Sequence, residues 1–221
     1  MIQISNIKIR KDISDTKLFE TIIKKYKIEP KDVVEWHISR KSIDARKKDD
    51  IHYIYSIDLK LKNENKYKKF NKVKEFYIPK IKAINTDKKN VVIVGAGPSG
   101  LFSALTLVQN GISPIVIEQG ESVENRKISV DKFLKNGNLN VLSNVQFGEG
   151  GAGTFSDGKL TTGINSPYCK KVLQEFVNFG APEQILYLSK PHIGTDNFIN
   201  IIKNIRNFII SKGGSFLFNT K

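Results

Sequence analysis

Apolar and polar positions fall into two regimes along the chain. In the first 80 residues the apolar runs are short and mixed. Ile2, Ile4, Ile7 and Ile9 predict a strand with an irregularity, since strict alternation breaks between Ile4 and Ile7. Residues 16–26 carry Leu18, Phe19, Ile22 and Ile23 on one helical side, and residues 33–39 read as a second strand. Residues 51–59 alternate cleanly and predict a half-buried strand whose apolar face is Ile51, Tyr53, Tyr55, Ile57 and Leu59. Lysine and asparagine then dominate 60–74, and 81–90 reads as a linker. From Val91 the pattern changes. Val91-Val92-Ile93-Val94 is an unbroken aliphatic run of the kind a strand buried on both faces carries. A helix over 101–109 stopped by Asn110-Gly111, a strand over 114–117, a helix around 172–177, an amphipathic helix over 196–212 and a strand over 215–220 follow. Thr195 or Asp196 is the expected N-cap of the amphipathic helix, and Gly213-Gly214 its stop. The chain is thus α/β: a small α+β module over 1–80, then a parallel-sheet domain over 91–221.

The strand at 91–94 runs directly into Gly95-Ala96-Gly97-Pro98-Ser99-Gly100, a GxGxxG turn followed by a helix and a second strand that ends at Glu118. Glycines here let the chain turn sharply, approach a phosphate and pack a helix on a strand, while the helix N-terminus stabilises negative charge. Glu118 lies 18 positions beyond Gly100, near the ~20 expected for a carboxylate that accepts from ribose hydroxyls. The unit is therefore Rossmann-like and read as a dinucleotide site, but by itself it does not separate FAD from NAD. Downstream, residues 146–160 hold Gly148, Gly150, Gly151, Thr154, Ser156, Asp157 and Lys159. Backbone this rich in glycine can lie beside a large planar ring, with Thr154 and Ser156 hydrogen-bonding its oxygens and Lys159 supplying positive charge. The plain alternative is a mobile surface loop.

These residues resemble a known family. GAGPSG at 95–100, Glu118 followed by Arg126, FGEGGAGTFSDGKL at 147–160, KPHIGTD at 190–196 and SIDARKK at 42–48 are similar to the two-dinucleotide-binding flavoproteins of the glutathione-reductase-like class, within them a bacterial group of FAD-dependent dehydrogenases. The resemblance implies FAD as cofactor, an oxidoreductase passing a hydride or electron pair through it, NAD(P)H as the electron donor, and a Rossmann-like FAD-binding sheet. Gly95, Gly97 and Gly100 would contact the pyrophosphate and Glu118 the ribose, with Pro98, Ser99 and Gln119 in the same two turns. Arg126 would contact the adenosine side or the neighbouring backbone, an exposed helical cation being its alternative. The 147–160 block would line the flavin. The family also returns a later segment to this domain, so the sheet is expected to be incomplete at its C-terminal end and to need a further polypeptide.

Composition narrows the reading. With 39% hydrophobic and 26% charged residues the chain is globular, and no stretch approaches the ~20 apolar residues of a membrane span. The start lacks a basic region followed by an apolar core, so a cytoplasmic location is expected. Cys169 has no second cysteine for an exchanging pair, and one cysteine with three scattered histidines offers no metal-ligand spacing. The net charge of +14 is uneven, with 24 basic against 13 acidic residues over 1–90 and 12 against 9 over 91–221. Basic residues interleaved with Tyr53, Tyr55, Tyr67 and Phe70 keep open an RNA-binding or RNA-modifying flavoprotein. An NAD-binding dehydrogenase fragment is the other alternative. No catalytic acid or base stands out; His192 is the one histidine in a suggestive motif, and His37 and His52 flank strands.

Overall fold

A computed structural model describes residues 1–73, 91–156, 158–164 and 166–221. The linker over 81–90, the module end at 80, and Asp157 lie outside the described residues. The described chain divides into two compact units, one of residues 1–73 with Gln184–Pro191, the other of residues 91–183 with His192–Lys221. Gln184–Pro191, assigned from sequence to the second domain, thus groups with the first.

In the first unit, strands β1 (Ile2–Ile9), β2 (Val33–Asp44), β3 (His52–Leu61) and β4 (Asn71–Lys72) form an antiparallel sheet in the order β2-β3-β1-β4. The irregularity expected in β1 is a register shift between Ile4 and Ile7, with Asn6 at φ +58. One extra residue restores the phase, so Ile4 and Ile7 both reach the core although three positions separate them. Helix α1 (Asp15–Tyr26) starts where the Ser14 hydroxyl accepts from the Lys17 amide, and it buries Leu18, Ile22 and Ile23, each stabilising by about 1.5–3 kcal/mol. β2 runs to Asp44 instead of ending at Ser39, because β3 pairs with it through to His52. Its outer edge is occupied by the 187–189 backbone: Lys41 N–H donates to Tyr187 O at 2.7 Å and Ser189 N–H to Lys41 O at 2.9 Å. Of the face expected on β3, Tyr55, Ile57 and Leu59 are buried, while Ile51 precedes the strand and is exposed.

The four aromatics that kept a nucleic-acid surface open belong to this core. Tyr55 and Tyr67 are buried, with hydroxyls donating to Asp12 and Asp32, and Tyr53 and Phe70 pack beside them. Tyr55 and Tyr67 are thus engaged inside the unit, and Tyr53 and Phe70 are partly so.

In the second unit, β5 (Val91–Val94), β6 (Pro114–Ile117) and β7 (Ser215–Leu217) form a parallel sheet in that order, with Val92 opposite Ile115 and Val116 opposite Phe216. Parallel strands need crossovers, and α2 (Pro98–Gln109) provides the first. The longer return from β6 to β7 contains α3 (Val123–Asn136), α4 (Pro167–Asn178) and α5 (Thr195–Ser211). Phe102, Phe176 and Phe198 stack edge to face at 5.5 and 5.3 Å, joining α2, α4 and α5 over buried Leu101, Leu105, Ile201 and Ile205. Among the described residues, no helix is long and apolar enough to cross a membrane.

Three expectations change. β5 is not buried on both faces: Val92 is 52% and Val94 85% exposed, because no described element covers the face they share. The N-cap of α5 is Gly194, without a side-chain cap bond; the Thr195 hydroxyl is drawn to the Ser156 carbonyl and Asp196 to Lys127. β7 ends at Leu217, after which Asn219 at φ +53 turns the chain so that the Asn219 and Thr220 amides donate to the Gly120 and Glu118 carbonyls.

Candidate functional site

The site is built on the turn between β5 and α2. Gly95 has φ +95, a conformation that side chains rarely adopt, and its N–H donates to Ile117 O at 2.7 Å. A Cβ on Gly100 would run into the Gly95 carbonyl, so this glycine lets the helix seat on the turn. Gly97 has open space around it. It is the N-cap of α2, with no side-chain cap, and Pro98 fills the first helical position. The first-turn amides of Ser99 and Gly100 therefore point out of the helix without an intrahelical acceptor, in the field of its positive end.

Glu118 follows β6 and is buried. One carboxylate oxygen accepts from Ala96 N–H at 2.7 Å and the other from Gly120 N–H at 2.8 Å. These bonds aim the carboxylate and tie the turn to the end of the sheet. Each oxygen retains a lone pair for a further donor.

The glycine-rich segment comes down onto this turn as a strap. Gly150 N–H donates to Ala96 O at 2.8 Å, and a Cβ on Gly151 would stand 2.8 Å from Pro98 Cδ. Gly148 crosses Gly120 closely enough that a Cβ on Gly120 would lie 2.6 Å from Gly148 Cα. Turn and strap enclose a cavity of about 330 Å³ lined by Gly95, Gly97, Glu118, Gln119, Gly148 and Gly151, together with Val94, Phe147 and Thr220. The cradle fits a dinucleotide: glycine surface where phosphates approach, unspent amides at the helix end, and an aimed carboxylate beside them.

Arg126 holds the strap. Its side chain is 0% exposed, and its guanidinium donates to the carbonyls of Asn144 (2.8 Å), Val145 (3.0 Å), Glu149 (2.6 Å) and Gly151 (2.9 Å), with a longer bond to Gly148 (3.4 Å). Burial draws its pKa down to about 10, opposed by the charges of Glu118 and Glu149. Of the contacts weighed from sequence, the structure has the one to backbone; the exposed-cation alternative does not hold, and a side chain without accessible surface does not reach an adenosine.

Sequence reasoning missed Glu149, Arg206 and Glu124. Glu149 is wholly buried; its Oε2 accepts from Val123 N–H at 2.8 Å and from Arg206 at 2.6 Å, while its Oε1 has no partner among the described residues. Arg206 also grips both oxygens of Glu124. Burial pushes the Glu149 carboxyl up to about 7 against the pull of Arg206. Glu124 is held down at about 2, since the Arg206 bonds outweigh its partial burial. A signal for both arginines was present. Arg126 shares the stripe of Val123 and Val130 on α3, and Arg206 that of Ile202, Ile205 and Ile209 on α5, so each cation sits where an apolar residue belongs.

The remaining candidates scatter. Thr154 is wholly buried with its hydroxyl pressed on Gly150 near Ile202, so the expected bond from its side chain to a flavin is not available in this arrangement. Ser156 is turned inward on its own loop, donating to Gly153 O and accepting from Gly158 N–H. Lys159 is exposed and pairs as a β-bridge with exposed His192. His37 and His52 belong to the first unit, beside Asp58 and Asp50. Among the described residues no group of three or more His, Cys, Asp or Glu is placed to hold a metal.

Comparison with known proteins bears on the turn directly. Residues 88–129 match a family model described as FAD binding domain. That stretch contains β5, the glycine turn, α2, β6, Glu118 and Arg126, and with the parallel sheet it supports FAD binding and, at a coarse level, a flavin-dependent oxidoreductase. Residues 1–60 match a second model, Domain of unknown function (DUF8436). An uncharacterized protein of Clostridium beijerinckii is 44% identical over 227 aligned residues, which cover 100% of this chain and 43% of that protein. The chain thus spans less than half the length of this relative.

Proposed function

We propose that residues 91–221 are the FAD-binding part of a flavin-dependent dehydrogenase that passes a hydride or electron pair between NAD(P)H and an acceptor. The observation that carries this is the closure of the 148–151 strap on the 95–97 turn around a cavity with an aimed carboxylate. An NAD site needs the turn but has no use for the strap. When bound, FAD supplies a ring that accepts two electrons and a proton.

The chain's own groups have separable tasks in this reading. Gly97 and the amides of Ser99 and Gly100 bind the pyrophosphate, and Glu118 orients the ribose through its unspent lone pairs, with Gln119 beside it. Gly148 and Gly151 exclude water from the pyrophosphate, and Arg126 keeps them there. Ser156, Asp157 and Lys159 remain proposals for the flavin end. Titrating the purified chain with FAD and with NAD tests the assignment: tight FAD uptake lost in Gly97→Val is expected, and NAD uptake without FAD uptake would replace it with the nicotinamide reading.

A further inference from the structure

The strap over 137–151 forms no helix or strand, and beside turn bonds of its own, such as Asn144 N–H to Phe147 O, two side chains of opposite charge tie it to other elements. Arg126 collects the carbonyls, and Glu149 accepts the free amide at the start of α3, Val123 N–H. Glu149 is also pulled from two sides, its carbonyl bound by Arg126 and its carboxylate by Arg206, both at 2.6 Å. The next amide in the chain, Gly150 N–H, is the one that binds Ala96 O in the turn. A lever one peptide long therefore joins helix α5 to the glycine turn.

Stability does not account for this carboxylate. Glu124 alone already occupies Arg206 with two hydrogen bonds, so Glu149, wholly buried, is a second acid on one guanidinium, and its Oε1 has no partner among the described residues. Burying such a group costs free energy that an apolar side chain of the same volume would not. Its placement is explained by what it holds.

We propose that Glu149 is a positioning residue that, with Arg206, fixes the Gly148–Gly151 strap at the height over the Gly95–Gly97 turn at which a dinucleotide pyrophosphate is enclosed; this rests on the flavin reading of that turn. The Oε2 acceptor does the positioning, so Glu149→Gln, which retains an oxygen there, keeps the strap in place. Glu149→Met keeps the volume and loses the acceptor.

The test compares wild type, Glu149→Gln, Glu149→Met and Ile205→Val, the last a core change on the same helix outside the strap. Two quantities are read: FAD affinity by titration, and hydrogen exchange of the Gly150 amide without FAD. Glu149→Met is expected to weaken FAD binding and to speed Gly150 exchange, each by about tenfold or more. Glu149→Gln should stay within about threefold of wild type in both. Ile205→Val should lower the melting temperature while leaving both unchanged, which separates positioning from general stability. Wild-type values in Glu149→Met would overturn the proposal. Should that variant not fold, Arg206→Lys takes its place, and wild-type affinity and exchange in it would overturn the proposal equally. If the wild-type chain takes up no FAD, the flavin reading falls by itself, and exchange at Gly150 still decides whether Glu149 holds the strap.

Discussion

A Cβ at Gly100 collides with the Gly95 carbonyl, whereas at Gly97 it meets nothing within 4 Å. The two glycines of one motif thus serve different ends, one the packing of the protein and the other room for a ligand. Gly100→Ala is expected to destabilise the second unit by about 2–3 kcal/mol through overpacking, visible in thermal melts with or without FAD. Gly97→Ala should leave the ligand-free melt unchanged and weaken FAD binding by about tenfold or more. An equal effect of both substitutions on stability would break this distinction. Glycine spacing and the terminal acid at 118 were legible in the sequence because the βαβ unit is local. The burial of Thr154 was not, since it depends on Ile202 of α5 arriving from 48 positions away.

Among elements, α3 and the strap depend on one guanidinium. Arg126→Lys keeps the charge but not the fork, so it cannot serve all of the strap carbonyls that the guanidinium binds. A loss of about 3 kcal/mol, or roughly 6–12 °C in melting temperature, is expected, accompanied by proteolytic cleavage within 137–151. Glu149 gives the same region a pH dependence. Its pKa is raised in the fold to about 7, so its contribution to stability is full below its unfolded value near 4.5 and is lost as pH rises through about 7. Glu124 acts oppositely, its contribution being present above 4.5 and lost as pH falls towards 2. The difference in melting temperature between wild type and Glu149→Gln should therefore shift against the wild type between pH 5 and pH 8; a difference that is flat with pH contradicts it. Periodicity predicted α2, α5 and β6 well because each has an apolar stripe or run of its own. The Glu149–Arg206 pair stayed hidden because its members lie 57 positions apart, and only the fold brings them together.

At the scale of the molecule, two units with separate cores share one chain, and each matches a different family model. The mixed pattern of residues 1–80 and the aliphatic run at 91–94 are what the sequence offers for reading a module ahead of a sheet domain. The docking of Gln184–Pro191 on β2 was unreadable, since an edge strand accepts any extended backbone. Exposed Val92 on the edge strand β5 leaves an apolar face uncovered by any described element. Concentration-dependent association in sedimentation velocity is expected, and Val92→Lys should reduce it. Bound cofactor tests the central claim most directly. The purified chain should show the visible absorption of an oxidised flavin and release FAD, and no other nucleotide, on denaturation. A colourless protein that also takes up no added FAD would contradict the account.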